Sequence, residues 1–363
     1  MRIVLFASAH GWGHSVRLAE VARAIMAREP RGQIAFGGRV CPDLLRARLE
    51  VPFKIYAGEL DIGLVELDYS SQNLAETARR GEHLLEEWDR LRSATAGFLD
   101  EWRASAVISD LPGIPLEAAA DAGIPSLAVG NFSWDWVYQT YYDTLGLPTF
   151  GRLAERFGSA YGTASCLARL PIGPPMPAFR TVVDVGLVGR RGTGDGAQRI
   201  RESYGLRSPS AFLAIGKAAD REMLERAIDQ SSGYHFFGFA DLGDGNPSYA
   251  RLSEAEQACF PDLLRAADVV VATLGHSILS EAAVNGTPIV TPPRLEYPEY
   301  DVLLSQGTRV HPVVEIPLDN FRSGRWSDTL DLARTQTPPD PPPSTDGATA
   351  IAELVLDLVG SAA

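Results

Sequence analysis

Lysine, cysteine and long apolar runs are all scarce in this chain, and each shortage removes a class of protein. Its 363 residues hold two lysines and three cysteines. Cys41, Cys166 and Cys259 lie far apart with no C-x-x-C, which excludes a disulfide framework and a thiolate zinc site and favours a reducing compartment. Positive charge is short as well: 33 Lys+Arg face 46 Asp+Glu, a formal net charge of −13. Such a surface repels a phosphate backbone, so nucleic acid and anionic membrane are not expected partners. A compact nucleotide is not excluded, because local N–H groups decide its binding. No apolar run approaches the ~20 residues that span a bilayer, and the opening MRIVLFASAHGWGH reads as a strand, not as a signal peptide. A soluble, cytoplasmic protein is expected, without an integral membrane segment. Also missing are D-x-D, G-x-x-x-x-G-K-[ST] and G-x-G-x-x-G. Their absence argues against a carboxylate pair for a nucleotide-bound metal, a P-loop and an NAD dehydrogenase, so neither a metal nor a cofactor is expected.

What is present is an alternation of short apolar runs with amphipathic helices, in two series. RIVLFAS, QIAFGG, FKIYAG, AVISD and IPSLAVG read as strands, with helical spacing at Leu18, Val21, Ala22 and Ile25 and a long apolar stripe from about Gln72 to Ser105. AFLAIG, YHFFGFA, DVVVAT, PIVTPP and RVHPVV begin the same pattern again. This is the signature of an α/β protein with two Rossmann-like parallel sheets. The expected boundaries are an N-terminal domain over 1–180, a linker over 181–197, a second domain over 198–336, and a Pro-rich connector with a C-terminal helix over 337–363. A length above 300 residues fits two domains of roughly 150 to 200 residues each.

Ligands in such sheets lie beyond the C-terminal strand ends, so the loops there carry the chemistry. The first is HGWGH, where His10 and His14 flank Trp12 and Gly13 at the start of a helix. A histidine in this place is a general base at neutral pH, its ordinary pKa being about 6.5; the plain alternative is a tight turn with one capping histidine. A base needs an orienting carboxylate, and VISDLPG supplies Asp110 at another strand end, where a helix cap is an equal alternative. In the second series, LGHSILSEAAVNG places His276 and Ser277 at a helix start suited to a diphosphate. Glu281 follows one turn on, where a carboxylate accepts ribose hydroxyls. Gly216 and Lys217 end the first strand of that series, and Glu299 and Asp301 follow PIVTPP as acceptors for sugar hydroxyls; an ordinary surface role competes for each. The aromatic run GNFSWDWVYQTYYDTLG has the helical spacing of a core, yet Asn131, Phe132 and Trp134 directly follow a strand end. Together with Trp12 they are the expected contacts of a cyclic or apolar acceptor.

These motifs resemble those of GT-B glycosyltransferases. G-x-G-H with G-H-S-x-x-x-E is similar to the group of the peptidoglycan N-acetylglucosaminyl transferase and the macrolide glycosyltransferases. HGWGHSVR with VISDLPGIPLEAAADAGIPSLAVGNFSWDWVY resembles the N-terminal glycosyltransferase-like region of L-arabinokinases, whose sugar-kinase domain has no counterpart in this sequence. The resemblance implies two Rossmann-like domains facing across a cleft, with acceptor on the first and nucleotide sugar on the second. It implies that His14 deprotonates the acceptor, that Asp110 orients it, and that His276, Ser277 and Glu281 hold the donor diphosphate and ribose. His10 shares the base role or touches the acceptor. Gly13, Gly216 and Lys217 join the donor site, and Glu299 and Asp301 fall where the family places an acid–Gln pair, which is not itself reproduced. The expected activity is inverting, metal-independent transfer from a nucleoside-diphosphate sugar to a small-molecule acceptor, in a monomer or homodimer. Natural-product biosynthesis is the favoured setting. The alternatives are a nucleotide-sugar epimerase, a non-catalytic nucleotide-sugar-binding domain and a hydrolase of activated sugars.

Overall fold

A computed structural model describes residues 1–10, 13–68, 71–215, 220–243 and 245–362. Seven parallel strands build the first sheet: β1 (Arg2–Ala7), β2 (Gln33–Gly38), β3 (Phe53–Ala57), β4 (Ala106–Asp110), β5 (Ser126–Gly130), β6 (Cys166–Arg169) and β7 (Val182–Asp184), in the order β3-β2-β1-β4-β5-β6-β7. The inner strands β1, β4 and β5 are buried almost throughout, as their near-continuous apolar runs require of a parallel sheet covered on both faces. Leu18, Val21, Ala22 and Ile25 of the helix Gly13–Arg28 pack on that sheet as their spacing implies. The long stripe forms one helix, Leu74–Trp102, capped by the Asn73 side chain accepting from the Glu76 N–H and stopped by left-handed Arg103. Strand order reverses between β1 and β4, which makes their C-terminal ends the switch point where such sheets bind ligands.

The second sheet has six parallel strands, β8 (Ser210–Ala214), β9 (His235–Gly238), β10 (Tyr249–Arg251), β11 (Val269–Ala272), β12 (Ile289–Thr291) and β13 (Val313–Glu315), in the order β10-β9-β8-β11-β12-β13. Its switch point lies between β8 and β11. Both sheets match the expected α/β class.

The division of the chain differs from the expected boundaries. One unit comprises 1–65, 73–188 and 344–363, the other 66–72 and 189–343. The expected linker 181–197 is largely structured: Val182–Asp184 pairs with β6 as an edge strand, and the helix Gly194–Ser203 belongs to the second unit. The C-terminal helix Gly347–Ala362 returns to the first unit, where Ile351, Ala352 and Val355 join the core of the first sheet. Leu187 N–H to Ser344 O (2.8 Å) and Gly347 N–H to Leu187 O (3.2 Å) stitch the returning chain in place. Among the described residues no helix is long and apolar enough to cross a membrane.

Candidate active site

Strand register places Asp110 opposite Ala7, the last residue of β1. The helix that begins at Gly13 carries His14 in its first turn, and His14 Nδ1 stands 3.0 Å from Asp110 Oδ1. Arg17 Nη1 donates to the same oxygen at 2.9 Å. All three side chains are buried, Asp110 completely. With Nδ1–H donated to the carboxylate, Nε2 of His14 keeps its lone pair, the tautomer of a general base. Arg17 was not foreseen from the sequence; its signal is its place one turn beyond His14 on the same helix face.

A second carboxylate, also unforeseen, lies on this side of the sheet. Asp61, in the segment after β3, is buried, and its two oxygens accept from Ala9 N–H at 2.7 Å and from Trp134 Nε1–H at 3.0 Å. Burial raises its pKa; the Ser8 hydroxyl, the two N–H donors and the charge of His14 oppose that rise. His10 takes a different place from His14. Its Nδ1 accepts from Leu64 N–H at 3.4 Å and its ring meets Trp134 edge-on at 5.5 Å. The close approach depends on Gly63, which has φ +59 and where a Cβ would lie 2.7 Å from His10 Cβ. Of the two histidines, His14 is the one with a described contact to the carboxylate of Asp110.

Three of the expected acceptor residues are buried in the first unit. Asn131 and Trp134 are fully buried and Phe132 nearly so; Asn131 Nδ2 donates to Ile172 O at 3.3 Å. The helix Trp134–Leu145 turns its apolar stripe, Trp134 included, into the core. Trp134 reaches the site instead through Asp61. Trp12 lies outside the described residues.

In the second unit, Gly275 caps the helix His276–Asn285, so Ser277 is its second residue and not its cap. Ser277 is half-buried, and the first-turn N–H groups point out of the helix beside it. His276 Nδ1 lies 3.3 Å from Ser280 Oγ. Glu281 is buried and held by Arg190, whose Nε meets Oε1 and whose Nη2 donates to Oε2 at 2.9 Å. Asn285 anchors the backbone on either side, donating to Arg190 O and accepting from Gly192 N–H. At Gly192 a Cβ would fall 2.5 Å from Pro261 O, so only glycine lets the segment lie this close. The structure separates Glu299 from Asp301: Glu299 is buried and accepts from Tyr297 Oη at 2.9 Å, while Asp301 is exposed. Gly216 and Lys217 lie outside the described residues, and Gly13 is the first residue of its helix.

No protein-family model matches the chain. In sequence it is 28% identical over 347 residues to an L-arabinokinase of Arabidopsis thaliana, covering 92% of this chain and 32% of that protein. The chain thus spans about a third of the length of that relative. Three solved structures resemble it along nearly its whole length. The glycotransferase of kitacinnamycin superposes with a TM-score of 0.65 at 13% identity, covering 99% of this chain and 95% of that one. CalG4, the calicheamicin glycosyltransferase, gives 0.60 at 15% identity, covering 100% and 95%. A UDP-glucosyltransferase from Polygonum tinctorium that glucosylates indoxyl gives 0.62 at 14% identity, covering 99% and 93%. The chain has the GT-B fold of these glycosyltransferases, two Rossmann-like α/β units in one polypeptide.

Proposed function

We propose that the protein is an inverting glycosyltransferase that moves a sugar, without a metal ion, from a nucleoside-diphosphate sugar to a hydroxyl of a small-molecule acceptor. The observation that carries this reading is the buried contact of His14 Nδ1 with Asp110 Oδ1 at the switch point of the first sheet. In the proposed step, Nε2 of His14 takes the acceptor's hydroxyl proton. The freed oxygen pair bonds to the anomeric carbon from the face opposite the leaving group. The bond from that carbon to the phosphate oxygen breaks, and its electron pair leaves with the nucleoside diphosphate. Asp110 stabilises the imidazolium that forms.

The second unit is read as the donor side. The helix that starts at His276 offers first-turn N–H groups and its positive end to the departing diphosphate, with Ser277 as a hydroxyl donor. Glu281, oriented by Arg190, accepts ribose hydroxyls through its remaining lone pairs. A small uncharged or cationic acceptor fits a chain of net charge −13, and the likeness to glycosyltransferases named for kitacinnamycin and calicheamicin supports a natural-product acceptor.

Calorimetric titration with UDP, dTDP, GDP and ADP, without metal, tests the donor side. One nucleotide is expected to bind at micromolar strength to the parent and to be lost in Glu281→Ala. Absence of binding by all four, or equal binding by the variant, contradicts the reading.

A further inference from the structure

We infer that Asp61 is a positioning residue for His14: it braces the loop leading to His14 and adds its negative charge to that of Asp110, which Arg17 partly offsets, in stabilising an imidazolium at His14. The inference rests on the proposed role of His14 as base, and its test is chosen to be readable without any substrate.

The bracing is visible in the hydrogen bonds. Ala9 N–H donates directly to Asp61 Oδ1 at 2.7 Å. His10 N–H donates to Ser8 Oγ at 3.2 Å, and the Ser8 hydroxyl in turn bonds to Asp61. Trp134 Nε1–H fills Oδ2 at 3.0 Å, and the His10 ring packs against that same indole. Two consecutive backbone N–H groups of the loop therefore converge on one carboxylate, directly or through one hydroxyl. These groups all donate, and an ionised carboxylate is the acceptor-only group that suits them.

The electrostatic half follows from the charges around His14. Asp110 arrives from β4, Arg17 from the helix of His14 itself, and Asp61 from the segment after β3. Arg17 and His14 share one oxygen of Asp110 at nearly equal distances, 2.9 and 3.0 Å, so the guanidinium offsets part of the charge that this carboxylate offers to His14. The hydrogen-bond donors to Asp61 are all neutral. The charge of His14 is one of the influences that hold the Asp61 carboxyl down against its burial. The phenols of Tyr138 and Tyr161 nearby stay neutral, both held well above their ordinary range, first by burial, with the charge of Asp61 adding to it at Tyr138 and those of Asp135 and then Asp61 at Tyr161. Asp61 thus brings to the surroundings of His14 a carboxylate whose described hydrogen-bond donors carry no charge.

The test is an NMR titration of the His14 imidazole in the ligand-free protein, assigned with a His14→Gln variant. In Asp61→Asn the midpoint is expected to move down by about one pH unit, the size of effect an adjacent opposite charge produces. In Arg17→Gln it is expected to move up by about as much. Loosened packing does not produce opposite signs at two neighbouring sites. An unchanged midpoint in folded Asp61→Asn overturns the inference and leaves Asp61 a brace alone. If that variant does not fold, the carboxyl carbon of Asp61 in the parent decides: a second inflection at the His14 midpoint is expected, and a single inflection overturns the inference. Where transfer is detected, the acid limb of kcat/KM against pH shifts with the same signs. Loss of transfer in every assay counts against the proposed function, while the imidazole titration reads Asp61 on its own.

Discussion

Arg190 grips both carboxylate oxygens of Glu281, so the carboxylate proposed to read a ribose is already fixed by a buried cation from the chain segment that precedes the second sheet. A bidentate pair of this kind fixes the plane of the carboxylate. It also makes each partner dependent on the other. Arg190→Met is expected to lower unfolding free energy by about 3–5 kcal/mol, because it leaves Glu281 buried and unpaired. Denaturant unfolding checks this. The double variant with Glu281→Gln is expected to lose much less than the sum of the two single changes, since both act on one interaction.

Asp110→Asn keeps the shape of the side chain and removes its charge. Arg17, almost fully buried beside it, then has no anion at that contact, and the Nδ1–H of His14 loses the acceptor that sets its tautomer. Two effects are expected together: transfer slower by about three orders of magnitude, and unfolding free energy lower by about 3–5 kcal/mol. Nucleotide affinity, measured by calorimetry, is expected to stay as in the parent, because the proposed donor residues lie in the other unit.

His311 gives the fold an acid sensitivity away from the chemistry. It is buried and hydrogen-bonded through Nε2 to Thr287 O at 2.7 Å, and burial holds its pKa below the ordinary 6.5. The unfolded chain then binds a proton that the folded protein refuses. The stabilisation is fully present above about pH 6.5 and is lost as pH falls towards the folded value. His235 shifts in the same direction, first through burial and then through Arg207, so a single variant removes only part of the slope. Between about pH 8 and about pH 5.5, denaturant midpoints of His311→Gln are expected to fall less than those of the parent.

Gly63→Ala probes the wall of the site from behind. The left-handed conformation there costs an alanine about 1–2 kcal/mol, and the new Cβ would sit 2.7 Å from that of His10. A loss of stability above the conformational cost is expected, with the His10 ring displaced from Trp134. Thermal unfolding and the indole fluorescence read these two effects separately.

The parts of this fold written in local periodicity were legible; the parts that depend on distant contacts were not. The apolar runs at β1 and β4, each ending in a polar loop, mark the switch point and with it the meeting of His14 and Asp110. Asp61 gave no such signal, since ELDIGL has neither period nor punctuation and its partners Ala9 and Trp134 stand 52 and 73 residues away. Arg190 was hidden in a Gly-rich stretch that reads as linker, 91 residues from Glu281. The four-residue strand β6 and the return of the C-terminal helix to the first unit are likewise settled by sheet pairing and core packing. For the aromatic stretch the helical spacing was informative: Trp134, Tyr138 and Tyr141 face inward as one stripe.

The measurement that bears most directly on the account is the rate of sugar transfer by His14→Ala against the parent, with the donor selected by the nucleotide titration and a panel of small hydroxylated acceptors. A catalytic base at His14 predicts a parent that forms product with inverted anomeric configuration and a variant slower by about three orders of magnitude, with nucleotide affinity retained. Transfer by His14→Ala at the parental rate, or product with retained configuration, contradicts it.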